Sequence, residues 1–112
     1  MKIYHNPRCR KSRETLELLQ DKGVDPEIIL YLQTPPNKQE LKEILSKLGI
    51  SPARLIRKGE PIFKEKFKGK DLTDAQWIDA MINYPKLIER PIVINGNKAV
   101  IGRPPVNILQ LI

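Results

Sequence analysis

With 112 residues, 40% of them hydrophobic and 29% charged, the chain has the size and composition of one folded domain and is too apolar to be a disordered one. Twenty Lys+Arg against thirteen Asp+Glu give a formal charge of +7, which favours anionic partners in general without choosing among them. No apolar run approaches the roughly 18 residues of a membrane span, and no signal-peptide pattern follows Met1. The one cysteine, Cys9, excludes an internal disulfide and a cysteine-based metal cluster, so a soluble cytoplasmic protein with no bound metal and no membrane contact is expected.

In chain order, residues 2–5 read as a short strand that runs into a loop at Asn6-Pro7. Ser12 reads as an N-cap, residues 15–22 as a helix and Gly23 as its stop. Residues 27–32 form a nearly continuous apolar run that suits a strand buried on both faces. After the break at Thr34-Pro35-Pro36-Asn37, Leu41, Ile44, Leu45 and Leu48 recur at helical spacing up to Gly49. Ser51-Pro52 starts a second short helix. Residues 58–71 are lysine-rich and irregular, with a helical turn around Phe63 and Phe67, and Thr73 caps a helix that stops before Pro85. Residues 91–94 and 98–101 are strands joined by a turn at Asn95-Gly96-Asn97, and residues 106–111 form a last helix. The order is βαβ, a helical middle, then ββα. This is an α/β, thioredoxin-like arrangement with a mixed sheet. It predicts one domain over residues 1–112 with a helical insertion at about 35–86.

Cys9 lies between a strand and a helix start, with Arg8, Arg10, Lys11 and Arg13 around it and no acid before Glu14. Unpaired N–H groups, the positive helix end and neighbouring cations all favour a thiolate. The alternative is a small buried hydrophobe, since free cysteine is often fully buried. The motif is Cys9-Arg10-Lys11-Ser12 and not Cys-x-x-Cys, so a catalytic Cys9 requires an outside thiol to release any adduct.

The segment His5-Asn6-Pro7-Arg8-Cys9-Arg10-Lys11-Ser12-Arg13-Glu14-Thr15-Leu16 resembles the active-site segment of the arsenate reductase family, in its glutathione/glutaredoxin-coupled branch. Leu55-Ile56-Arg57-Lys58, Glu89-Arg90-Pro91-Ile92-Val93 and Ile101-Gly102-Arg103-Pro104 match further family motifs in order, so the resemblance spans essentially the whole chain. It implies that Cys9 is the nucleophile toward arsenate and that Arg57, Arg90 and Arg103 hold the oxyanion. It also implies that His5 tunes the thiol, that Ser12 supports the thiolate, that Asn6 shapes the loop beside it, and that Pro91 is a cis-proline near the site. No cofactor is bound under this reading. Glutathione is the co-substrate, glutaredoxin the partner, the protein a monomer and the role arsenical resistance.

Taken without the resemblance, the three arginines also read as solvated surface charges, His5 as a strand-end residue and Pro91 as an ordinary trans edge-strand proline. The chain departs from the best-known reductases in carrying Arg8, Arg10 and Lys11 where those have small residues. That leaves the substrate open between arsenate, another oxyanion and a small thiol adduct. The alternative function is a non-enzymatic regulator of the same fold that binds a protein such as RNA polymerase. Nucleic-acid binding is not expected, because aromatics are only 5% and no stacking motif or helix-turn-helix is present.

Overall fold

Ile3 and Val93 are fully buried and stand opposite each other on two antiparallel strands. The first of two units is built around this pair. In the computed structural model, which describes residues 1–112, that unit comprises Met1–Thr34 and Arg90–Ile112, and the second is Pro35–Glu89.

In the first unit β1 (Lys2–Tyr4) leads to α1 (Arg10–Asp21) and then to β2 (Glu27–Ile29), which pairs with β1 in parallel. The chain returns to this unit with β3 (Ile92–Asn95), antiparallel to β1, and β4 (Lys98–Ile101), antiparallel to β3. The sheet is therefore mixed, in the order β2-β1-β3-β4. This is the thioredoxin-like architecture read from the sequence. Ser12, Thr15 and Leu19 of α1 recur at spacings of three and four, and all are buried. Leu19 joins Ile3, Val93 and, from the last helix, Ile108 and Leu111 in the core over one face of the sheet. Removing one such side chain, Leu19→Ala for example, falls in the range of about 2–5 kcal/mol. The strand pair β3–β4 turns through Gly96-Asn97, with Gly96 at φ 61°, the left-handed backbone that a two-residue turn of type II′ needs at its first position.

Three local readings change. The apolar run at 27–32 is not a long buried strand. Only Glu27–Ile29 pair, Ile28 is 46% exposed, and the chain turns away as Thr34 N–H donates to Leu30 O at 2.8 Å. As an edge strand, β2 has one neighbour, so its apolar side chains need not face a core. Ser12 does not cap α1: Cys9 is the N-cap, and the helix begins at Arg10. The last helix, Pro105–Leu111, winds as a 3-10 helix.

In the second unit α2 (Lys38–Leu48) starts at a reciprocal capping box between Asn37 and Glu40 and ends at Gly49, φ 69°. A 3-10 turn over Pro52–Leu55 follows, then α3 (Pro61–Lys66), α4 (Asp74–Asn83) and a 3-10 turn over Pro85–Leu87. Thr73 caps α4 as read from the sequence, in a second reciprocal box with Gln76. Trp77 is buried and stacks with Phe63 at 6.2 Å between ring centroids, so these aromatics serve as cover and core. Lys64, Lys66, Lys68 and Lys70 are solvent-exposed. No helix of the chain is long and apolar enough to cross a membrane.

One contact fixes the distance between α1 and the segment after β4. Gly102 is buried against Thr15 and Pro91, and a Cβ there would lie 2.6 Å from Thr15 Oγ1 and 2.9 Å from Pro91 Cγ. Both neighbours are themselves buried, so neither has room to move. Gly102→Ala is expected to destabilise the fold by about 1–3 kcal/mol, the usual cost of overpacking. A chemical-denaturation midpoint equal to that of the unsubstituted chain would show that the contact relaxes freely.

Candidate active site

The chemistry of the first unit starts where β1 ends. His5 N–H donates to Ile29 O at 2.8 Å, continuing the parallel ladder one residue beyond the strand. Asn6 then turns the chain: its Oδ1 accepts from Arg8 N–H at 3.0 Å and its backbone oxygen from Cys9 N–H at 2.9 Å. This turn sets Cys9 at the N-cap of α1 with extended backbone, and its carbonyl accepts from Arg13 N–H at 3.0 Å.

Ser12 lies within the first turn and uses its hydroxyl elsewhere. Its Oγ accepts from Asn6 N–H at 3.0 Å and meets His5 Nδ1 at 2.6 Å. His5 Nδ1 is the acceptor available to the hydroxyl proton, and a neutral ring in that tautomer carries its own proton on Nε2. Burial, and secondarily the charge of Arg13, hold the His5 pKa below its ordinary value, in keeping with a neutral ring. His5 and Ser12 are therefore bonded to each other. What Ser12 turns toward the sulfur is its backbone N–H.

Cys9 is partly exposed. Burial pushes its thiol up, but the combined opposing effects prevail. These are the Ser12 N–H, then Arg90 by a side-chain hydrogen bond and by its charge, then the Lys11 N–H. The net direction is down, toward the thiolate. Arg103 Nη1 lies 3.6 Å from Cys9 Sγ and 3.4 Å from Arg90 O, so the two guanidinium-bearing residues adjoin each other at the sulfur. Arg90-Pro91 is a cis peptide bond, as is Arg103-Pro104.

Three of the four long cations beside the thiol, Arg10, Lys11 and Arg13, have partners away from it. Arg10 Nε pairs with Glu14 Oε1 at 2.9 Å and is 83% exposed, and Lys11 Nζ lies 3.7 Å from Glu14 Oε2. Arg13 Nη1 donates to Pro7 O at 2.9 Å. They are held at the surface and do not displace the donors at the sulfur.

Arg57 belongs to the second unit. There Arg57 N–H donates to Leu87 O at 2.7 Å and Glu89 N–H to Leu55 O at 2.9 Å, around an antiparallel bridge between Ile56 and Ile88. That pairing sets Arg57 beside two carboxylates, Nη1 at 3.3 Å from Glu89 Oε1 and Nε at 3.6 Å from Glu60 Oε1. The first unit thus brings Cys9, Arg90 and Arg103 into contact, with His5, Asn6 and Ser12 behind the loop. Arg57 is held by its own acidic neighbours.

Two supporting residues escaped the sequence reading. Thr15 Oγ1 lies 2.8 Å from Lys11 O and 3.1 Å from Gly102 O, as donor to these carbonyls. Asn107 Nδ2 donates to Ile101 O at 3.0 Å and Arg103 O at 3.3 Å. The visible signal for Thr15 is a hydroxyl on the buried stripe of α1. Asn107 carries none. No three His, Cys, Asp or Glu side chains gather where they would hold a metal ion. The arrangement suits a sulfur nucleophile acting on an anion.

Because the donors favour the charged form, thiolate absorbance should rise at a pH below that of an ordinary free thiol. Arg90→Ala removes one donor and one positive charge, so its curve should move to higher pH. A midpoint unchanged by Arg90→Ala, or one at or above the free-thiol value, would contradict this electrostatic picture.

Comparison with known proteins agrees with this geometry. The model of the ArsC family matches residues 4–111. The uncharacterized protein YfgD of Escherichia coli (strain K12) is 49% identical, over 100% of this chain and 96% of its own. An arsenate reductase of Haemophilus influenzae is 48% identical, over 98% of this chain and 97% of its own. A solved arsenate reductase structure from Vibrio cholerae superimposes with a TM-score of 0.94 at 45% identity, covering 99% of this chain and 96% of that one. A match over nearly every residue, on a thioredoxin-like frame with one thiol between two arginines, leaves one assignment: the chain belongs to the ArsC family.

Proposed function

We propose that this protein is an arsenate reductase in which Cys9 is the nucleophile and glutathione, with glutaredoxin, supplies the electrons. The observation that carries this reading is the contact of Arg90 and Arg103 with the Cys9 sulfur. Arsenate is a multiply charged tetrahedral anion, and a thiolate approaching it meets charge repulsion. Two guanidiniums at the sulfur offset that repulsion, and their planar forks match oxyanion oxygens in a way an ammonium does not. Donors already in place as charge shifts in the transition state commonly contribute a few kcal/mol each.

The reaction balances as follows. Cys9 sulfur bonds to arsenic as one arsenate oxygen, protonated, leaves as water. Glutathione thiolate then attacks the Cys9 sulfur, and the sulfur–arsenic bond breaks with its electron pair going to arsenic. As(V) becomes As(III), released as arsenite, and the two sulfurs are joined as a mixed disulfide. Glutaredoxin, as a second thiol, exchanges with that disulfide and frees Cys9. The chain's single cysteine supports this division of labour, since it has no second thiol to do either step. The family resemblance gives Arg57 an oxyanion-binding task as well.

Arsenate-dependent NADPH oxidation, coupled through glutathione, glutaredoxin and glutathione reductase, should proceed with the native chain and cease with Cys9→Ser. Absence of an arsenate-dependent rate, under conditions where a known reductase works, would defeat the reductase assignment. Full activity of Cys9→Ser would defeat the nucleophile. Arg90→Ala and Arg103→Ala should each weaken arsenate binding roughly tenfold or more, as loss of a charge-assisted donor does, and Arg57→Ala, at a cation already paired with two carboxylates, by less. The exposed Arg54→Ala should change it little, and equal losses would point to bulk charge instead of a site.

A further inference from the structure

The start of the Cys9 loop forms one wall of a groove of about 240 Å³. Its walls include His5, Asn6, Arg8, Leu30, Leu32 and Gln33, and no carboxylate lines it. The volume falls below the roughly 300–1,000 Å³ of sites that enclose a whole small molecule. It suits one arm of a ligand.

Several side chains of this wall keep a donor beyond the loop's own bonding, and Gln33 adds an amide with both a donor and an acceptor. His5 is 6% exposed and meets Ser12 with Nδ1, which leaves Nε2, the N–H of the neutral tautomer in which Nδ1 accepts. Asn6 is 9% exposed and commits Oδ1 to Arg8 N–H, so its Nδ2 remains. Arg10, Lys11 and Arg13 are each engaged by Glu14 or by Pro7 O. Arg8 is the cation of this loop whose side chain has no such partner, and it stands in the groove wall. An imidazole N–H, an amide NH₂ and a guanidinium around one concavity form a set that an anion completes, and a carboxylate matches the planar fork of Arg8. Leu30 and Leu32 add an apolar floor. Arg8 also precedes Cys9 directly, so a ligand anchored on it lies next to the loop that carries the sulfur.

We infer that this groove binds a carboxylate-bearing arm of the small thiol that reduces Cys9, with Arg8 as the anchoring cation. The inference rests on the reading of Cys9 as a nucleophile served by an outside thiol, and it adds where that thiol is held.

S-methylglutathione, which keeps both carboxylates and carries no reactive thiol, is the probe, titrated into the full-length chain by calorimetry. Saturable binding is expected. Arg8→Glu should weaken it about tenfold or more, as loss of a charge-assisted pair implies, while Arg10→Glu, at the outward cation paired with Glu14, should change it less than twofold. The diethyl ester of the same probe should bind as weakly as the acid does to Arg8→Glu. The groove assignment is overturned by no binding at millimolar probe, by equal losses in the two variants, or by an ester that binds as well as the acid. The arsenate assay is read separately. Probe binding with the expected pattern but no arsenate turnover would sink the reductase assignment and leave the groove standing. Turnover without that pattern, including turnover with a protein thiol alone, would sink the groove and leave the reductase.

Discussion

Everything at the site hangs on how closely one backbone segment approaches one helix. Gly102 has no side chain, and this lets the chain after β4 lie against Thr15 and Pro91. Gly102 N–H donates to Pro91 O at 2.8 Å, and Thr15 Oγ1 faces Gly102 O at 3.1 Å. The next residue is Arg103, whose guanidinium reaches the thiol. A wider approach would still leave a sheet and a helix, but the sulfur at the helix end would lose one of its cations. The hydroxyl of Thr15 and the amide of Asn107 act on the same short stretch, so a glycine and two neutral side chains set the place of a charge.

The electrostatics are local. Six of the seven arginines fall in segments matched to the family's motifs, which the bulk charge of +7 does not reveal. They divide by partner. Arg90 and Arg103 face the sulfur. Arg10 and Arg13 are tied to Glu14 and Pro7, Arg57 is paired with Glu60 and Glu89, and Arg8 stands in the groove wall. A cation already opposite a carboxylate offers less to an incoming anion than one facing a thiolate, so sequence proximity to Cys9 is a poor guide to which arginines matter. Arg90 and Arg103 lie more than eighty residues away along the chain.

Much of the fold was legible because period and punctuation agreed. Leu41, Ile44, Leu45 and Gly49 marked α2, Thr73 marked the start of α4, and Gly96 marked the hairpin. The run at 27–32 misled because an apolar stretch reads the same whether a strand is central or at an edge, and only the sheet order settles which. Ser12 misled for a related reason. A serine near a helix start is a good cap, but here the Asn6 turn advances the helix by three residues and gives the hydroxyl to His5. Cys9 was visible from its flanking charges and its place after a strand. The roles of Thr15 and Asn107 were not, since both depend on backbone carbonyls that approach only in the folded chain.

The donors at the Cys9 sulfur act at contact range, whereas the lysines of residues 58–70 are spread over exposed surface. Mobile ions screen these two sets of charge very differently. At physiological ionic strength the Debye length is about 8 Å, so the surface lysines lose most of their reach while groups touching the sulfur lose little. Salt therefore leaves the grip on the thiolate in place. The charge that poises the sulfur is thus the part of the +7 that salt leaves in place.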